Sequence, residues 1–506
     1  MSPVQFLFMG TGTSTGLPLA PCLTNAFPYP KPFAAALPLP PPPADGAPPP
    51  KGHYDPNGPW PRDVTCACCR STVDPEVPEG WKNRRGNTGG VLRKKDAQGR
   101  WKNVLLDVGK TFREQAIRFF PRWGVHSIDA VVLTHGHADA YFGLDDLREW
   151  CIRQGTTIPV YLDRPTYEAV AKSFPYLVDR SQASGGGDIP SLAWEIVDDY
   201  AEFDICGINV KTLPVEHGIY FRVAPASSDS SGTSTPMDLK PEPLICLGFL
   251  FDDAIAYLSD VSVVPERTWD VLLRRTPVPS DPLQVAEMQV GDAGHAGHSQ
   301  PQTVLSALTG LRDRLAASKT LIPPTPQGTP GSSSPTSAAA SVNKLSLSDE
   351  LNTSEPATPS TSTSGTAPPP LPILIVDSLW PIRTHVSHTN FPQALEIALR
   401  LNPSVTYLTG MTHPSTHFMW EELCLAIRGK DAQRGDHPDA ELSKYLVQKV
   451  FADGQFSGAS HLGKRVKDWG GIVEPAWDGL VLEAGNGEGL WKEVTEPGGS
   501  INCFGI

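Results

Sequence analysis

Seven times in this chain a short apolar run breaks off into a glycine-rich turn or a cluster holding a potential metal ligand. Residues 4–9 run into Gly10-Thr-Gly-Thr-Ser-Thr-Gly16, 104–106 into Asp107-Val-Gly109, and 130–133 into Thr134-His-Gly-His-Ala-Asp139. Residues 210–213 run into Pro214-Val-Glu-His217, 254–258 into Ser259-Asp260, 373–376 into Asp377-Ser378, and 405–408 into Thr409-Gly-Met-Thr-His413. Runs this short and this rich in Val, Ile and Leu read as buried strands. Ligands that follow strand after strand predict a site built along one edge of a sheet. Helical periodicity at 112–123, 145–154, 164–174, 265–274, 391–401 and 419–428 adds a helical layer. The expectation is an α/β or α+β layered domain.

Composition limits how much of the chain can join that domain. Gly and Pro supply 97 of 506 residues, concentrated in stretches unable to pack a core. Four insertions are expected within a single domain spanning 1–506. They are a Pro-rich segment at 26–61, a polar one at 225–243, a Ser/Thr/Pro-rich one at 280–370 (lowest in complexity over 318–370), and a partly helical one at 429–468. The first three cannot offset their ordering entropy by burial and are expected to be loops or disordered. A net charge of −13 argues against a chain-wide basic surface for nucleic-acid backbones. No apolar run is long enough to span a bilayer, and the first residues lack the pattern of a secretory signal. The expected location is cytoplasmic, with the nucleus as an alternative. Nine unevenly spaced cysteines then suggest thiols or metal rather than disulfides.

His135-x-His137-x-Asp139 follows a strand directly, so two imidazoles can face one ion and a carboxylate can reach a second position nearby. His217, Asp260 and His413 each lie just past another strand. Packing alone does not explain that repeated placement. Imidazole nitrogen and carboxylate oxygen suit Zn, Fe or Mn.

The residues also resemble a known family, the metallo-β-lactamase-fold hydrolases. Within it the sequence is most similar to the branch of the phosphoribosyl cyclic phosphodiesterase of phosphonate breakdown and its eukaryotic relatives. The matching pieces are Gly10-Thr-Gly-Thr-Ser-Thr-Gly-Leu-Pro18, Asn83-Arg-Arg-Gly-Asn-Thr88, Leu105-Leu-Asp-Val-Gly-Lys-Thr-Phe-Arg113, Leu133-Thr-His-Gly-His-Ala-Asp-Ala140, Gly143-Leu-Asp-Asp-Leu-Arg148, Leu213-Pro-Val-Glu-His-Gly218, Tyr257-Leu-Ser-Asp-Val-Ser262 and Gly410-Met-Thr-His413. The resemblance implies an αββα four-layer sandwich. It implies a first metal on His135, His137 and His217, and a second on Asp139 and His413, with Asp260 bridging. The family's usual His after the Asp is Ala140 here, so the second position lacks a ligand and a single ion is the alternative. Zn is expected, with Mn or Fe at the second position. Asp139, Asp260 and His388 are expected to take part in the chemistry. His388, with His385 nearby, resembles the family residue that faces the scissile phosphate and can donate a proton to the leaving oxygen or bind phosphate.

The same branch carries a structural zinc. By order along the chain, the resemblance assigns it here to Cys22, Cys66, Cys69 and His417, with Cys68 as a competing thiolate. The Gly10 segment is no dinucleotide fingerprint, because its spacing is wrong and Pro18 follows where a helix should start. His295 and His298 read as a solvated loop, and Asp107, Arg84 and Arg85 as structural. The expected activity is a metal-dependent phosphodiesterase on a small or cyclic phosphodiester, using metal-bound hydroxide. The alternatives are a tRNA 3′-processing nuclease, a thioesterase or lactonase, and a non-catalytic metal-binding scaffold. The expected partner is the small-molecule substrate, without membrane or nucleic acid, and with a homodimer left open.

Overall fold

The computed structural model describes residues 2–23, 66–74, 77–184, 188–223, 239–274, 370–430, 434–452, 461–485 and 491–495. Two compact units divide the chain, Met1–Ser280 with Pro368–Ile506, and Asp281–Ala367. The second lies outside the described residues, as do the expected insertion at 26–61 and the His295/His298 pair.

The first unit is built on two mixed sheets. One has eight strands, in the order Trp491–Glu493, Val481–Ala484, Val4–Gly10, Gly89–Lys95, Trp101–Leu106, Ala130–Val132, Ile158–Leu162 and Leu192–Ile196. The other has seven, in the order Val473–Pro475, Val405–Thr409, Ile373–Asp377, Ile255–Leu258, Leu239–Phe251, Ile208–Val223 and Glu202–Ile205. Strand-end ligands converge because several strands run parallel. Trp101–Leu106, Ala130–Val132 and Ile158–Leu162 are parallel neighbours, and so are Ile255–Leu258, Ile373–Asp377 and Val405–Thr409. Their carboxyl ends therefore open at the same edges.

Alternation along the strands sorts side chains into three cores. Phe6, Phe8 and Leu92 of the first sheet meet Phe249, Tyr257 and Tyr407 of the second between the sheets. Outside the first sheet, Leu7, Val91 and Leu105 pack with Phe119, Phe120 and Trp123 of the helix Phe112–Trp123. Outside the second, Leu374 and Leu408 pack with Leu395 and Trp420 of the helices Phe391–Leu401 and His417–Ile427. The layers are helix, sheet, sheet, helix. Each fully buried side chain of this size contributes about 1.5–3 kcal/mol.

Local chemistry agrees with this architecture. Asn390 and Gln393 form a reciprocal capping box on the helix Phe391–Leu401, and the Thr416 hydroxyl accepts from the Met419 N–H at the start of His417–Ile427. Two expected insertions differ from simple appendages. Residues 239–243 continue the strand Leu239–Phe251, while 224–238 lie outside the described residues. Within 429–468, the helices Ala440–Ala452 and His461–Trp469 bury Leu446, Val450, Leu462 and Val466 in the core outside the second sheet. These apolar positions recur at helical spacing, so the segment packs despite its polarity.

Candidate metal centres

Two clusters of metal-binding side chains form among the described residues. In the first, one ligand atom from each of His135, His137 and His217 closes within 4.8 Å of the others. Ring centroids are 4.6 Å apart for His135 and His137, and 5.2 Å for each of them with His217. His135 is buried and His137 exposed, so the cluster has one open side.

Each imidazole is aimed by a different device. Asp107 ends its strand at φ 60°, a left-handed conformation costing about 1–3 kcal/mol for a residue with a side chain. Its carboxylate accepts from the Thr134 N–H at 2.8 Å and the Thr134 hydroxyl at 2.9 Å. With that hydroxyl proton committed, Thr134 Oγ1 accepts from His135 Nδ1–H at 2.8 Å. His135 Nε2 is then the lone-pair nitrogen. It is buried with no hydrogen-bond partner, an arrangement a metal ion satisfies. Burial drives the His135 pKa down to about 3, so the ring is neutral and able to ligate.

His217 sits where the pairing of Ile208–Val223 with Leu239–Phe251 shifts register, between Glu216 and Ile219. Bulges of this kind re-aim a side chain. Gly218 takes φ 80° there, and a Cβ on it would lie 2.4 Å from Ser387 Oγ. His217 Nδ1–H donates to the Ser387 carbonyl at 2.8 Å, leaving Nε2 as its lone pair.

Asp260, held at φ 49°, lies 3.9 Å from His217 Nε2 and 3.9 Å from His388 Nδ1. Burial opposes its ionisation, but His135, His217, His388 and His137 outweigh that and hold it near about 2. His217, Asp260 and His388 form an overlapping group within 4.8 Å. His388 Nδ1–H donates to Asp377 Oδ2 at 2.8 Å. Burial disfavours the His388 cation, yet Asp377, then Asp260 and Asp139, raise its pKa to about 9. Asp377 is a candidate site residue to which motif reading assigned no role. Its signal was a carboxylate at a strand end, eleven residues before an imidazole. Asp139 is near but joins none of these groups; burial and then Asp260 raise its pKa to about 6. The His385 ring lies tilted 5.3 Å from that of His388, and burial, then the His388 charge, lower its pKa to about 4.

The second cluster corrects two expectations. Cys22, Cys66 and Cys69 gather around His413, with each Sγ 3.8, 3.4 and 3.8 Å respectively from its Nδ1. His413 was expected at the second catalytic ion and His417 as the fourth partner of the thiols. Instead the helix starts at His417 and carries its ring to Glu421, one turn on, at 3.1 Å. Cys68 stands apart, its thiol donating to Asn83 Oδ1 at 3.7 Å. Three thiols and an imidazole match a closed tetrahedral site for zinc.

Residues 102–321 match the family model described as the Beta-lactamase superfamily domain. They include the His135–Asp139 motif, His217 and Asp260. The likeness to that domain is confined to those residues. Among solved structures it is similar to a diphosphatase of the PhnP family, at 18% identity over 96% of this chain and 98% of that one, TM-score 0.44. It is also similar to the metallo-β-lactamase fold protein YhfI from Bacillus subtilis, at 10% identity over 96% and 100%, TM-score 0.39. A protein of Porphyromonas gingivalis named octanoyltransferase is 27% identical over 162 residues, 31% of each chain. The chain thus spans about a third of that relative's length. No helix among the described residues is long and apolar enough to cross a membrane.

Proposed function

We propose that this metallo-β-lactamase-fold protein is a metal-dependent hydrolase of a small phosphodiester, with a second, structural ion at its thiol cluster. The observation that carries the catalytic reading is the buried, unpartnered His135 Nε2 beside two further imidazoles. His135, His137 and His217 would hold the catalytic ion. When bound there, a divalent ion supplies Lewis-acid activation of a water and of a phosphoryl oxygen. Without His413 in this set, and with Ala140 in place of a histidine, one firmly held ion is the simpler arrangement.

The chain's own groups divide the remaining work. Thr134 and the Ser387 carbonyl fix the tautomers of His135 and His217. Asp260 offsets positive charge and can take a proton from the attacking water. His388 enters as the imidazolium. Asp377 keeps the Nδ1 proton, so the transferable proton is the one on Nε2, and it passes to the leaving oxygen. A fixed acid is of most use against a poor leaving group, such as the alkoxide of a phosphodiester. The motif resemblance points the same way.

A second reading has its own support, because His217, Asp260 and His388 are also close enough to share an ion. In that case His388 is a ligand. The test is hydrolysis of bis-p-nitrophenyl phosphate by the metal-loaded protein, with the metal counted per chain. Turnover that disappears in His135→Ala supports the proposal. Hydrolysis of carboxylic esters or thioesters with none of phosphodiesters overturns it. Loss of an ion in His388→Ala favours the ligand reading over the acid.

A further inference from the structure

Arg85 is fully buried and lies beside the thiol cluster. Its Nη1 donates to the carbonyls of Met411 at 3.2 Å and Thr412 at 3.3 Å. Its Nη2 donates to Asn83 Oδ1 at 3.1 Å and the Ser415 carbonyl at 3.2 Å. These contacts bracket His413 on both sides. Asn83 Oδ1 also accepts from the His417 N–H at 2.6 Å and from the Cys68 thiol, so the loop and the cysteine helix share one anchor.

Every acceptor of Arg85 is neutral. Among the described residues no carboxylate forms an ion pair with it. Burial works against its charge, while Cys68, which stands outside the cluster, then the carboxylate of Asp478, then Cys69 and Cys66 of the cluster favour it. Asp478 is itself engaged, accepting from Thr11 N–H and hydroxyl and from Gly86 N–H. A buried guanidinium without a facing anion is costly, and buried charges are ordinarily paired. The thiol cluster carries its full negative charge once a metal is bound and every thiol has lost its proton. Three thiolates and one neutral imidazole on a divalent ion carry a net charge of −1, which one guanidinium balances.

We infer that Arg85 is the built-in counter-cation of a divalent metal–thiolate centre formed by Cys22, Cys66, Cys69 and His413, and that its charge raises that centre's metal affinity while its hydrogen bonds hold the His413 loop. Arg85 is a positioning residue, for it touches none of the ligand atoms. The inference rests on the structural-ion reading of the cluster.

The test uses the full chain with Co²⁺ as probe, following the near-ultraviolet sulfur-to-cobalt absorption and competing the ion away with a chromophoric chelator. Arg85→Gln keeps a donor but removes the charge. Arg85→Lys keeps the charge but cannot serve four acceptors. The Gln variant should bind Co²⁺ at the sulfur site at least about tenfold more weakly than wild type, and the Lys variant within about threefold. Equal weakening of both would reduce Arg85 to a hydrogen-bonding strut and overturn the inference, as would a Gln variant that binds like wild type. A wild-type protein with no sulfur-to-cobalt band would remove the structural-ion reading itself, and the inference with it. Should the Gln variant not fold, the Lys variant decides: near-wild-type affinity supports the counter-charge, and a tenfold loss overturns it.

Discussion

The two clusters use overlapping chemistry to opposite ends. The imidazole cluster at His135, His137 and His217 has one exposed member and a hydrogen-bonded imidazole–carboxylate pair, His388 and Asp377, at its flank. The thiol cluster closes on itself with four donors, three of them buried. An open coordination position is what a substrate needs, and a closed tetrahedron is what a fold needs. The contrast also shows in their supports. Around the imidazoles, strained aspartates and a register shift aim individual rings. Around the thiols, Arg85 and Asn83 tie loop backbones together. The two are joined mechanically, because Ser378 N–H donates to the Thr409 carbonyl and Thr412 N–H to the Leu379 carbonyl. The loop carrying His413 thereby lies against the segment that begins at Asp377.

The sharpest way to break the contrast is to remove one member from each side. His135→Ala should lower phosphodiester hydrolysis by about 10³-fold or more and cost one ion, while the thermal midpoint moves little. Cys69→Ser should do the reverse, releasing the other ion and lowering stability by about 2–5 kcal/mol, with a smaller loss of rate. Elemental analysis and thermal melts on the two variants read both effects. If either variant loses both ions, the clusters are not independent.

The next effect concerns the acid. His388→Ala should slow substrates with poor leaving groups by about 10²-fold and p-nitrophenyl esters much less. The sign with pH follows from the raised pKa of His388. The imidazolium is present below its folded pKa and is lost as pH rises through it. Hydrolysis should therefore fall as pH rises through about 9, and that descending limb should vanish in the variant. A limb unchanged in His388→Ala assigns it to another group.

A smaller difference separates the two histidines of the last loop. His413→Ala should release the thiol-bound ion, whereas His417→Ala should keep it and lose only the contact with Glu421. Metal content per chain checks this directly, and release of the ion in His417→Ala alone would restore the order-based assignment. The least effect is expected from deleting residues 318–370, which should leave melting temperature and turnover within experimental scatter. A large loss in either would make that tract part of the fold.

Much of this was legible in the sequence. Apolar runs ending in ligands marked the parallel strands Trp101–Leu106, Ala130–Val132, Ile255–Leu258, Ile373–Asp377 and Val405–Thr409, but not Ile158–Leu162, and the helices Phe112–Trp123 and Phe391–Leu401 fall where their periodicity predicts. Gly89–Lys95 and the long partner Leu239–Phe251 were not marked, since charged or prolyl residues interrupt their patterns and the cross-strand neighbours supply the pairing. The donor set His135, His137 and His217 was readable because all three stand in recognisable motifs, although His217, expected past a strand end, lies at a register shift inside the strand Ile208–Val223.

What the sequence determined was which side chains can bind metal and roughly where strands and helices lie, because donor chemistry and periodicity are local properties. Which donors share an ion was decided only in three dimensions. His413 and His417 are four residues apart and chemically identical. Thr416 starts the helix between them, turning the ring of His417 toward Glu421, and Arg85, more than 300 residues earlier, pins the loop that brings His413 to the thiols. Asp377 likewise became part of the site only when the fold set it 2.8 Å from His388. Coordination depends on distances of a few ångströms between segments far apart in the chain, and only the packing of the two sheets and their helices fixes those.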